Sequence, residues 1–189
     1  MKRTISRKKL VNKNMKKALI VGYGSIGTRH LKNLISIENM KILILTKRKN
    51  LEINQKNVKV IHNLKDALNE KPDFALITNE TRYHIPIALK LAKFGLDLFI
   101  EKPLSDSMKN IKKLKKTVNE KKLVTQIGCN LRFYPPLKKI KELVGKQIVG
   151  KPISVQVETG SYLPDWHPWE DYRTGYAAKK ELGGGVLLT

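Results

Sequence analysis

Ala18-Leu19-Ile20-Val21-Gly22-Tyr23-Gly24-Ser25-Ile26-Gly27 is the stretch that decides the fold. A short apolar run enters a glycine-rich turn, and Ile26, Leu31, Leu34 and Ile35 then recur at helical spacing. That reads as strand, loop and helix in immediate succession. Gly22, Gly24 and Gly27 fit the pattern G-x-G-x-x-G, whose glycines permit a tight bend, close approach of backbone to a pyrophosphate, and close packing of helix on strand. The helix start at Ser25 and Ile26 presents free N–H groups and the positive end of its dipole to such an anion. By itself the pattern is weak evidence, but here it follows a strand and opens a helix, which is the context it requires. A dinucleotide is therefore the expected ligand of Gly22, Gly24, Ser25, Ile26 and Gly27.

Working outward, further apolar strand candidates are Ile42 to Leu45, Val58 to Ile61, Phe74 to Thr78, Leu98 to Ile100 and Val124 to Ile127. Continuous apolar runs of this kind belong to strands buried on both faces of a parallel sheet. Helical patterns separate them at Leu64 to Glu70, Tyr83 to Phe94 and Ser107 to Lys121, with Gly95 placed to end the second and Ser105 or Asp106 to cap the third. In the third, Ile111, Leu114 and Val118 face inward while Lys109, Lys112, Lys113, Lys115, Lys116, Lys121 and Lys122 face out. The alternation predicts an α/β, doubly wound Rossmann domain of six strands over residues 15–128.

Past Gly128 the character changes. Pro135 and Pro136 lead into a helical pattern near Leu137 to Val144, and Ile153 to Tyr162 alternates like a strand. An aromatic, turn-rich stretch from Trp166 to Tyr176 precedes the run Gly183-Gly184-Gly185-Val186-Leu187-Leu188-Thr189. Residues 129–189 are thus expected to be the beginning of an α+β substrate and oligomerisation domain, truncated here. Residues 1–14 have no periodicity and carry six basic and no acidic residues, which reads as a basic disordered extension.

The chain has 38 basic against 16 acidic residues, a net charge of +22, which raises nucleic acid as a partner. Distribution argues otherwise, because the lysines sit in the N-terminal extension and on the polar faces of helices with no nucleic-acid motif beside them. No run approaches the ~20 apolar residues of a membrane span, and Cys129 is the only cysteine, so no internal disulfide can form. With no signal-peptide core behind the basic start, a cytoplasmic location is expected. No metal site is expected.

Two loops carry the remaining chemistry. The second strand of an NAD-binding domain normally ends in a carboxylate that bonds the adenosine ribose; here Ile42 to Leu45 runs into Thr46-Lys47-Arg48-Lys49. A hydroxyl and three cations suit the 2'-phosphate of NADP, so NADP is expected over NAD, the alternative being three more solvated cations in a lysine-rich chain. Glu101-Lys102-Pro103 follows the strand Leu98 to Ile100, at the sheet edge where open α/β sheets bind ligands. There Lys102 is either a functional amine or a loop ammonium paired with Glu101.

The GYGSIG run, Glu101-Lys102-Pro103 and the later Gly183-Gly184-Gly185 together resemble the Gfo/Idh/MocA family of NAD(P)-dependent oxidoreductases, over residues 15–189. The resemblance implies hydride transfer between NAD(P) and a sugar, a cyclitol or a sugar-derivative hydroxyl or carbonyl, with Lys102 catalytic and close to nicotinamide and substrate. It implies cofactor contacts for Glu101 and Pro103 and for Thr78, Asn79, Glu80 and His84, although Asn79 and Glu80 depart from the residues common there. It places Arg132 beside the substrate, and Trp166 and His167 are candidate substrate contacts. Family enzymes continue past the glycines with an Asp and then a His; Thr189 stands at the Asp position. Full-length relatives are expected to be homo-oligomers, an expectation not extended to this chain. His30 and His62 read as surface or packing residues. A competing reading is a truncated dinucleotide-binding module without catalytic activity.

Overall fold

The computed structural model describes residues 15–166, 168 and 171–186. Six parallel strands, β1 (Lys16–Val21), β2 (Met40–Leu45), β3 (Val58–Ile61), β4 (Phe74–Ile77), β5 (Asp97–Ile100) and β6 (Thr125–Ile127), form one sheet in the order β3-β2-β1-β4-β5-β6. β1 is central and pairs with two strands far apart in sequence, so that Ala18 lies opposite both Ile42 and Phe74. The chain runs outward from β1 to β3, then crosses back to β4 and runs outward the other way. A crevice opens where the order reverses, between the C-terminal ends of β1 and β4.

Alternation along β1 explains how both faces are covered. Leu19 and Val21 join one core with Ala75 and Ile77 of β4 and with α2 (Leu64–Asn69), α3 (His84–Phe94) and α4 (Ile111–Glu120), through Ala67, Ile85, Ala88, Leu91 and Leu114. Ala18 and Ile20 point the other way, onto Leu31 and Leu34 of α1 (Ser25–Ile35). A strand apolar on both faces is the sequence's answer to helices on both sides of the sheet.

Local chemistry sets the helix ends. Asn63 caps α2 by accepting from the Asp66 N–H at 2.8 Å, and Gly95 ends α3 in the left-handed region at φ 89°. α4 starts at Ile111, later than the expected Ser107, and neither Ser105 nor Asp106 caps it. Ser105 Oγ instead accepts from the Ser107 N–H at 3.2 Å, closing a turn before the helix, and Asn110 enters α4 at φ 64°.

Beyond β6 a 3-10 turn (Asn130–Phe133) leads to α5 (Pro135–Gly145), with Pro135 in its first turn and no buried residue. The strand expected at Ile153 to Tyr162 does not form. Ile153, Val155 and Val157 are fully or largely exposed and no described strand lies alongside; an alternating segment becomes a strand only when a neighbour takes up its N–H and C=O groups. Short α6 (Leu163–Trp166) and two 3-10 turns at Tyr176–Ala178 and Lys180–Leu182 complete the described residues. The last turn returns to the Rossmann domain, where the Arg82 guanidinium donates to the Glu181 carbonyl at 2.7 Å. Among the described residues no helix is long and apolar enough to cross a membrane.

Candidate dinucleotide and proton-transfer site

The C-terminal ends of the strands are knitted together by backbone bonds just past the regular ladder. Gly22 N donates to Leu45 O, Thr46 N to Ile61 O, Thr78 N to Val21 O, Glu101 N to Ile77 O and Gly128 N to Ile100 O, all at 2.8 to 3.0 Å. These five bonds bring the glycine loop, Thr46, the Thr78-Asn79-Glu80 loop, Glu101-Lys102-Pro103 and Gly128 to one sheet edge.

The three glycines of the loop do different work. Gly22 has φ +94°, and a Cβ there would lie 2.7 Å from the Asn79 backbone; a Cβ on Gly27 would lie 2.4 Å from the Gly22 carbonyl oxygen and 3.1 Å from Thr78 Oγ1. Those two glycines let the loop fold against β4. Thr78 fastens it there, its hydroxyl donating to the Gly22 carbonyl at 2.8 Å. Gly24 meets nothing within 4 Å. It lies on the open side of the loop as the N-cap of α1, and no side chain caps that helix or places an acid in its first turn. Ser25 is exposed and Ile26 half-buried beside it.

Asn79 Oδ1 is buried and has no hydrogen-bond partner among the described residues. An orphaned acceptor beside an uncapped helix start and an open glycine fits a ligand bearing hydroxyls and phosphates. On the same sheet edge, past the end of β2, Thr46 is buried and its Oγ1 accepts from Arg48 N at 3.3 Å, which folds the loop so that Lys47 and Arg48 stand exposed. His84 is 1% exposed; its Nδ1 lies 2.9 Å from the Pro103 carbonyl and its Nε2 2.9 Å from the Asn79 carbonyl. Both ring nitrogens are spent on backbone, so His84 ties the Asn79 loop to the Pro103 loop from beneath.

Glu101 is half-buried. Burial pushes its carboxyl up, but the hydrogen bond from His30, the backbone N–H of Lys102 and the charges of both residues outweigh this and hold it below the ordinary glutamate range. His30 Nε2 is 2.7 Å from Glu101 Oε1 and Lys102 N donates to Oε2 at 3.1 Å. Lys102 itself is exposed, on the rim. Tyr176 reaches the same rim from the distant turn: burial pushes its phenol up, and the Glu101 and Glu80 carboxylates push it further in that direction.

Arg132 is exposed on the turn after β6. Trp166 ends α6, its side chain lying with His167 outside the described residues. Sequence reasoning missed His30, and nothing near it signals its contact, since it meets a carboxylate 71 positions away. Among the described residues no three His, Cys, Asp or Glu side chains gather in a way that holds a metal.

Known proteins share the fold of this chain and part of its sequence. The chain is 27% identical over 175 residues to a myo-inositol 2-dehydrogenase of Thermotoga maritima, covering 89% of this chain and 49% of that protein. It is 28% identical over 141 residues to a scyllo-inositol 2-dehydrogenase (NAD(+)) of Bacillus subtilis, covering 71% and 41%. Among solved structures, myo-inositol 2-dehydrogenase from Lactobacillus plantarum superposes with a TM-score of 0.65 at 25% identity, over 72% of this chain and 42% of that one. The chain spans about half the length of the curated relatives it matches. Residues 16–129 match the model of the Gfo/Idh/MocA oxidoreductase family, NAD-binding Rossmann fold, and with more than half of its length matched the chain belongs to that family.

Proposed function

We propose that this chain carries the dinucleotide site and the proton-transferring lysine of an oxidoreductase that moves hydride between NADP and a hydroxyl or carbonyl carbon of a sugar or cyclitol. The observation that carries it is the convergence of the open Gly24 edge, the orphaned Asn79 Oδ1 and the Glu101-Lys102-Pro103 loop on one end of the sheet. That two of the relatives are inositol dehydrogenases supports the substrate class.

Gly22, Gly24, Ser25, Ile26 and Gly27 hold the pyrophosphate on the start of α1, and Asn79 Oδ1 accepts from a ribose hydroxyl. Thr46, Lys47 and Arg48 take the 2'-phosphate, two exposed cations replacing the carboxylate that would favour NAD. The nicotinamide, when bound, accepts or supplies the hydride. Lys102 acts at the substrate oxygen: in oxidation its neutral amine takes the hydroxyl proton as the carbonyl forms, and in reduction its ammonium returns one. Glu80 and Pro103 frame the site, His84 positions its two loops, and Arg132 is a substrate contact, with Trp166 and His167 as the further candidates that the sequence offers. Residues 129–189 begin the substrate domain, and a cytoplasmic location completes the proposal.

Calorimetric titration of the chain with NADP and NAD tests it. NADP binds more tightly, and replacing Lys47 and Arg48 by Ala removes that advantage while leaving NAD affinity in place. Equal or tighter NAD binding overturns the preference. With a cyclitol such as myo-inositol, reduced nicotinamide accumulates and Lys102→Ala stops it with binding intact; binding without turnover in the unaltered chain identifies a dinucleotide-binding module instead.

A further inference from the structure

His30 sits in the second turn of α1, the helix that begins at the glycine loop, yet its side chain does not join the apolar stripe of Leu31 and Leu34. It reaches across the sheet edge to Glu101. The two side chains are each 17% exposed and meet at 2.7 Å, with the edge of the Phe99 ring against the imidazole at 5.1 Å and 67°. Glu101 is confined on its remaining sides. A Cβ on Gly128 would lie 2.9 Å from Oε2, so the carboxylate occupies the space that a side chain at 128 would fill. Oε2 accepts the N–H of Lys102. β5 ends at Ile100 and Glu101 N is bonded to Ile77 O, so the Lys102 amide is the first beyond the ladder. Its acceptor is the carboxylate next door.

We infer that His30 is a positioning residue for Lys102: carried on the helix that seats the dinucleotide phosphates, its imidazole N–H holds the Glu101 carboxylate, and that carboxylate fixes the backbone of Lys102 toward the bound cofactor. The inference rests on the reading of Lys102 as the proton-transferring group. It adds a mechanical link, through two side chains, between occupancy of the glycine loop and the placement of the amine. The Glu101 carboxylate accepts from both sides and gives up no proton, so the link works without Glu101 entering the chemistry. His30 touches neither substrate nor cofactor.

Acylation of lysines by an activated ester, quantified residue by residue by mass spectrometry with and without saturating NADP, tests the link. In the unaltered chain NADP protects Lys102, while Lys32 and Lys112 react unchanged. His30→Phe keeps the ring packed on Phe99 but offers no donor; it loses Lys102 protection by about fivefold, the factor that one hydrogen bond of ordinary net strength represents. Its NADP affinity stays within about threefold, since no phosphate contact is touched. His30→Gln, whose amide N–H can donate to the carboxylate, restores the protection. Should His30→Phe fail to fold, Glu101→Met, which fills a similar space but accepts neither N–H, must show the same loss. Full protection in His30→Phe or in Glu101→Met overturns the inference. NADP that binds the unaltered chain and leaves Lys102 unprotected overturns the prior reading of Lys102 itself, which is a different result from the same assay.

Discussion

Replacing each glycine of the loop by alanine separates the part of the motif that builds the fold from the part that receives the ligand. In Gly27→Ala the new methyl lies 2.4 Å from the Gly22 carbonyl oxygen, well inside the 3.4 Å at which ordinary contact begins. That oxygen cannot retreat cheaply, because it accepts from Thr78 Oγ1 at 2.8 Å and the Gly22 N–H is bonded to Leu45. Overpacking costs about 1 to 3 kcal/mol, and loss of the Thr78 bond adds about 0.5 to 1.5. A total of about 1.5 to 4.5 kcal/mol lowers the melting temperature of a domain this size by roughly 6 to 20 °C. Gly24 has φ −93° and nothing within 4 Å. Alanine fits there, and a less flexible unfolded chain makes Gly24→Ala equal to or about 0.4 to 1 kcal/mol more stable than the parent. Its methyl nevertheless projects into the space proposed for the pyrophosphate, and the same overpacking range becomes a loss of about 5- to 150-fold in NADPH affinity. Thermal melts followed by circular dichroism and titrations followed by NADPH fluorescence read both effects. A Gly24→Ala chain that binds like the parent, or a Gly27→Ala chain that melts like it, refutes the assignment of the two glycines.

Two further outcomes follow from buried polar groups. His84→Ala removes the partner of two backbone carbonyls and opens a cavity at a site that is 1% exposed, so urea unfolding should show a loss of about 3 to 5 kcal/mol; a loss below about 0.5 kcal/mol, the level of an ordinary surface change, contradicts the tie between the loops. Because the folded Glu101 carboxyl lies below its ordinary value, the folded state releases that proton more readily than the unfolded state. Its stabilising contribution is complete above the unfolded value of about 4.3 and disappears as pH falls through the lower folded value. The difference in urea midpoint between the parent and Glu101→Gln should therefore shrink as pH falls below about 4.3, and a pH-independent difference refutes it.

The inner strands were legible because burial on both faces leaves little but apolar residues, and Ile42 to Leu45 and Phe74 to Thr78 could be bounded to within a residue or two for that reason. The edge strand Val58–Ile61, with Lys59 exposed, was found from its β-branched residues. The glycine pattern identified the first strand, loop and helix of a doubly wound sheet, and the position of Lys102 just past a strand put it at the ligand-binding sheet edge. Helix starts were harder. α4 begins after a left-handed Asn110 that caps nothing with its side chain, so the Ser105 and Asp106 signals pointed to a turn rather than to a helix end. Ile153 to Tyr162 has the alternation of a strand, but pattern states a preference and pairing needs a partner. His30 shows the deeper limit. Its neighbours describe an amphipathic helix, and only the pairing of β5 with β4, which itself pairs with β1, brings Glu101 within reach.

The reversal of strand order at β1 also bears on how the molecule comes together. β1, β2 and β3 are contiguous in the sheet and can pair once the chain has been made as far as Ile61, whereas β4, β5 and β6 need residues up to Ile127. Every parallel pairing closes a long loop before it is rewarded, which makes such sheets slow to form. The seam between the halves is the β1–β4 ladder, Ala18 against Phe74 through Val21 against Ile77. The walls of the crevice, with the glycine loop on one side and Asn79 on the other, belong to opposite halves. However the halves form, a chain made only as far as Ile61 has no place for a nucleotide, because the cleft comes into being only when the seam closes.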